Sequence, residues 1–164
     1  MRRSLQLRVA LSTLAFAGLA FAPAAFANEP HFVGTPTCTK SVRTGLTCSG
    51  KAAGLGNGPT EAFLTAEKVE AHYVCENKGE NVAPGQPAVT ENVTGPHQTI
   101  TPRNGQITFS PTIPPPPTPS AAGNCPNKNW KVKLTSLTYV GVVLTVEQPS
   151  TGTVLTDNLG TIDP

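Results

Sequence analysis

Four cysteines, three histidines and a scatter of glutamates are the residues of this chain whose types could do chemistry. Cys38, Cys48, Cys75 and Cys125 could ligate a metal, cycle as thiols or close disulfides. Zinc-type spacing is missing: there is no Cys-x-x-Cys, and of His31, His72 and His97 only His72 lies near a cysteine. On a strand His72 and Cys75 point to opposite sides, so they do not converge on an ion. Four thiols allow three pairings. Cys38 and Cys48 fall in two short segments whose connection, residues 39–46, can fold back, and Cys75 and Cys125 then remain for each other. Loop-closure arguments give the two bridges roughly 3 and 4 kcal/mol, large beside a typical net stability of about 5–15 kcal/mol.

Acid–base and nucleophilic sets are poorly supplied. Glu67, Glu70, Glu76 and Glu80 could furnish a carboxylate pair for glycoside chemistry, but Glu70 and Glu76 fall on a polar face beside Lys68 and Lys78, the pattern of a solvated surface. The only aspartates, Asp157 and Asp163, lie at the C-terminal end. No Gly-x-Ser-x-Gly, His-Glu-x-x-His, phosphate loop or dinucleotide fingerprint occurs. Gly54-Leu55-Gly56-Asn57-Gly58 is glycine-rich, yet Pro59 and a strand follow it instead of a helix whose N-terminus could hold a phosphate. The sequence therefore predicts no enzyme, no cofactor and no metal.

The elements that position these residues begin after residue 27. Arg2, Arg3 and Arg8, the apolar run Val9–Ala22, and Ala25-Phe26-Ala27 before Asn28 have the order of a secretory signal, with small residues at −3 and −1 for the peptidase. Ser12, Thr13 and Pro23 interrupt the run, which is shorter than the roughly 20 apolar residues of a membrane anchor. Removing those three arginines leaves nine Lys/Arg against ten Asp/Glu, so the +2 of the whole chain becomes −1 for residues 28–164. Nucleic-acid binding loses its electrostatic support. The expectation is a secreted, extracellular monomer with no membrane span after signal removal, in a compartment where disulfides persist.

Only 28 of the 137 residues from Asn28 onward are Leu, Ile, Val or Phe, near the content at which chains stop forming cores. Thr is the commonest, at 21, and with scattered Val, Pro and Gly this is β composition. Turn signals at short intervals, among them Asn77-Lys78-Gly79, Pro84-Gly85, Gly95-Pro96 and Asn104-Gly105, separate candidate strands near 31–40, 45–53, 61–76, 87–94, 97–102, 106–113, 130–140, 142–148 and 153–157. Val69, Ala71, Tyr73 and Cys75 alternate with Lys68, Glu70, His72 and Glu76, one side core and the other wet. Phase changes near Thr135-Ser136 and Val140-Gly141 predict a bulge or tight turn at each. Six prolines in 111–119 make that segment a stiff crossover between sheets. The fold class is all-β: an immunoglobulin-like antiparallel β-sandwich of about 7–9 short strands in one domain, stapled by two disulfides, its sheet centre in the C-terminal third and its end, 158–164, loose.

With so little Leu and Ile, most of the aromatics Phe32, Phe63, Tyr73, Phe109, Trp130 and Tyr139 are needed inside, and Trp130 beside Cys125 is assigned to the core, not to a sugar-stacking platform. Asn92-Val93-Thr94 matches the N-glycosylation acceptor of eukaryotic secretory routes. Cys125-Pro126-Asn127-Lys128 is similar to the start of reactive loops in some exported serine-protease inhibitors.

The segments 30–34, 47–57, 74–86 and 125–130 together resemble a group of small secreted actinobacterial proteins with a signal peptide, Thr-rich strands and cysteines in these contexts. That resemblance implies a compartment and a source, not a reaction. A fainter likeness is to the apoproteins of secreted enediyne chromoproteins, whose ligand-cleft motifs have no counterpart here. The functional expectation is a secreted non-catalytic module binding an extracellular protein, a wall polymer or a small ligand, with inhibition of serine proteases through the loop after Cys125 as the alternative.

Overall fold

The computed structural model describes residues 29–163, so the signal-cleavage residues Ala25, Ala27 and Asn28 lie outside the described residues. The described chain is all-β, with eleven strands in two antiparallel sheets. The smaller sheet is built on β3 (Gly45–Ala53), flanked on one side by β1 (His31–Phe32) and β2 (Thr37–Ser41) and on the other by β8 (Ile107–Phe109) and β9 (Thr112–Ile113). β8 and β9 pair with β3 in one register, interrupted at Ser110-Pro111. Proline has no N–H for the ladder.

The larger sheet has two long central strands, β4 (Thr60–Glu76) and β10 (Lys131–Gln148). β11 (Thr153–Ile162) covers the far side of β10, and β5 (Val82–Pro84), β6 (Ala88–Thr94) and β7 (Gln98–Ile100) follow one another back along β4. Strands of 17 and 18 residues replace the short ones expected, and eleven replace seven to nine.

One cluster of buried residues fills the space between the sheets, which makes the fold a β-sandwich. Leu46, Cys48, Ile107, Phe109 and Ile113 enter it from the smaller sheet. From β4 come Ala62, Leu64 and Ala66, then Val69, Ala71 and Tyr73. β10 supplies Leu137 and Tyr139, then Val142, Leu144 and Val146. The inward phase therefore slips on both central strands, at Glu67-Lys68 and at Val140-Gly141, and by the register on either side these two pairs of residues face each other. Because both strands slip together, their pairing stays in step.

Three sequence expectations are corrected here. Of the end expected to be loose, 158–164, residues 158–162 belong to β11, which runs to Ile162 with Leu155, Leu159 and Ile162 packed on the core. Pairing continues past Asp157 because the strand absorbs a register shift opposite Tyr139–Val143, with Gly160 at φ 68°. The segment 111–119 is not wholly a connector, since Thr112-Ile113 pair with Leu46-Thr47 and Ile113 is buried, leaving 114–119 to pass between the sheets. Likewise Pro84-Gly85 and Gly95-Pro96 are not chain reversals; they are points where the β5–β6–β7 edge advances by one residue against β4. The shift expected near Thr135-Ser136 is present as a bulge against β4, and the Val140-Gly141 irregularity as a bulge against β11.

Candidate functional site

Both disulfides form as the spacing suggested. Cys38 and Cys48 face each other across β2 and β3, and Cys75, fully buried at the end of β4, joins Cys125. The second bridge ties residues 120–130 to the end of the larger sheet. These residues are a series of turns. Asn124 Nδ2 donates to Ser120 O at 2.8 Å, Cys125 N to Ala121 O at 2.9 Å, and Asn129 N to the Asn127 side-chain oxygen at 3.0 Å. Facing them, the β4–β5 turn is closed by Asn77, whose side-chain oxygen accepts from Gly79 N at 2.9 Å and Asn81 N at 3.0 Å. Asparagine suits both places because its amide can close a turn on its own backbone.

Between the turns runs a groove made of two adjoining concavities of about 480 and 520 Å3, a size that accepts small ligands. Asn77, Lys78 and Asn129 are common to both. Asn127 and Trp130 line one end; Glu76, Glu80, Lys131 and Lys133 line the other. Three lysines face two glutamates, and Lys133 Nζ lies 3.6 Å from the Glu76 carboxylate. The groove thus offers an indole, three carboxamides and a nearly balanced set of charges. Trp130 is a correction: it is half-buried in the groove wall and stands outside the core cluster, because the turns after Cys125 end at the rim of the sheet and not beneath it.

The remaining candidates are dispersed. Glu70 pairs with Lys68 at 2.7 Å, which holds the Glu70 carboxyl below and the Lys68 ammonium above their ordinary ranges. Glu67 lies against Gly141, away from Glu76 and Glu80. His72 is exposed on the outer face, as the alternation required, and His31 Nδ1 is 2.7 Å from Glu29 O. The glycine-rich 54–58 loop holds no helix; its backbone is bonded by Gln148. Pro114–Pro117 with Val69, Thr90 and Val93 enclose an apolar hollow of about 200 Å3. Asn92 sits exposed in β6 at φ 52°.

The groove could not be read from single residues. Its lining comes from two turns some fifty residues apart, which the Cys75–Cys125 bridge and the pairing of Glu76 with Lys131 bring together. Among the described residues no helix is long and apolar enough to cross a membrane. The chain matches no protein-family model, no curated protein and no solved structure.

Proposed function

We propose that this protein is a secreted, non-catalytic binding module whose groove at the Cys75–Cys125 end takes a hydroxyl-rich polymer of the wall or extracellular glycan type. The observation that carries the reading is Trp130, half-buried in the wall of a groove also lined by Asn77, Asn127 and Asn129. An indole gives an apolar face on which a sugar ring can lie, and carboxamides both donate to and accept from hydroxyls. The disulfide stiffens the groove before binding, which lowers the ordering cost. The signal-like leader and two bridges, which favour an oxidising compartment, support the secreted location. The residues after Cys125 fold into hydrogen-bonded turns, not the extended segment that a protease reads as substrate, which favours this reading over protease inhibition.

Sedimentation with insoluble wall and polysaccharide fractions, followed by titration with soluble fragments, tests the proposal. Binding to at least one fraction is expected, with Trp130→Ala weakening it tenfold or more at unchanged thermal stability. Binding that survives Trp130→Ala, or no binding to any fraction, overturns it.

A further inference from the structure

At the opposite end of β4 and β10 from the groove, three side chains that could ligate a metal converge on the outer face. Glu61 of β4 and Glu147 of β10 are direct cross-strand partners. Like charges so placed are destabilising when nothing lies between them. His97, just before β7, brings its Nδ1 to 2.7 Å from Glu61 Oε2, and one ligand atom from each of the three residues lies within 4.8 Å of the others. An ionised carboxylate can only accept, so in this contact the Nδ1 carries the proton. The Phe63 ring stacks on the imidazole with centroids 4.0 Å apart and planes 5° from parallel, which restricts the ring's rotation. Directly behind Glu147, fully buried Gln148 pins the same end of β10 to the 56–60 loop through its bonds to Gly56, Gly58 and Thr60.

We infer that Glu61, His97 and Glu147 form a divalent-cation site of the zinc type. A nitrogen with two carboxylate oxygens is a donor set that zinc accepts, whereas calcium and magnesium prefer oxygen alone. The ion takes the place of the proton on Nδ1, which moves to Nε2 in a neutral ring and goes to solvent from an imidazolium, and it lies between two carboxylates that otherwise repel. Small side-chain rotations bring the three atoms to ligand distances of about 2.0–2.2 Å, leaving a fourth position for water. The inference is independent of the groove: the two sites share no residue.

Calorimetric titration of the purified protein with zinc chloride, with His97 ring resonances followed by NMR, tests this. One-to-one saturable binding that shifts the His97 resonances is expected, with an affinity lowered more than about tenfold in Glu147→Gln and in His97→Gln, as loss of a direct ligand should exceed the loss of a supporting contact. All three ligands are solvent-accessible, so the variants should melt like the parent without metal. His31→Gln and His72→Gln should bind as the parent does, and calcium should not compete. No saturable binding, equal binding by the Glu147 and His97 variants, loss in the His31 or His72 variants, or equal competition by calcium each overturns the site.

Discussion

The Gln148 carboxamide and the Gly56 peptide exchange two hydrogen bonds: Gly56 N donates to Oε1 at 2.9 Å, and Nε2 donates to Gly56 O at 3.0 Å. The same Nε2 reaches Gly58 O at 2.7 Å. A fully buried glutamine is costly unless each of its groups is bonded, and here the loop supplies the partners that its glycines leave accessible.

Gln148→Ala should therefore cost about 2–4 kcal/mol, since it opens a cavity and strands part-buried backbone groups. Gln148→Glu separates the two contributions, keeping the shape while removing the Nε2 donor that serves both carbonyls. Denaturant melts of both variants are the check, and an effect confined to the alanine variant would show that volume alone matters.

Gly141 and Gly160 form a second pair of expectations. Both have positive φ, 63° and 68°, but a Cβ on Gly160 meets open space, whereas one on Gly141 would land on the Glu67 carboxyl. Gly160→Ala should cost about 1–2 kcal/mol from backbone conformation alone. Gly141→Ala should cost more, and the excess should vanish when Glu67→Ala is added. A double-mutant cycle reads the difference directly.

The two tyrosines set the alkaline limit. Burial pushes both phenols above their ordinary pKa; Tyr139 Oη donates to Ile113 O at 3.5 Å, while Tyr73 Oη has no partner among the described residues. A folded-state pKa raised above the unfolded one contributes stability that is complete below pH about 10 and is lost as pH rises through the folded value. Phenolate absorbance should thus appear together with unfolding, not before it. Tyr73→Phe should be neutral or stabilising, because it removes a buried hydroxyl that bonds nothing.

Removing the bridges should rank them by loop length. Cys75→Ala with Cys125→Ala opens a separation of 50 residues and should cost about 4 kcal/mol, against about 3 for the 10-residue Cys38–Cys48 pair. The first double variant should also alter Trp130 fluorescence, since the bridge seats the turns that carry it. The second should leave that emission unchanged.

Much of the sandwich was legible because alternation is a local signal. Val69, Ala71, Tyr73 and Cys75 face inward as their spacing says, and counting cysteines leaves few ways to pair them. The sequence shows β11 only to Asp157 because Leu155, Leu159 and Ile162 do not keep one alternation; the shift at Gly160 that restores their packing is set by β10. A tryptophan near a cysteine reads as core, and only the turns of 120–130 put Trp130 at the rim. Glu61, His97 and Glu147 gave no motif at all, since sheet pairing alone brings them together.

The interrupted edge along β4 has a consequence for how the molecule meets other strands. A continuous outer strand there would span about as many residues as β4 and offer a row of backbone groups to any passing strand. Pro84, Pro87 and Pro96, with the two register shifts, cut it into lengths of three, seven and three residues. Each piece bonds inward to β4, and the longest run left outward for another molecule is the seven residues of β6. The prolines that disturb the sheet's regularity thus guard against fibre growth.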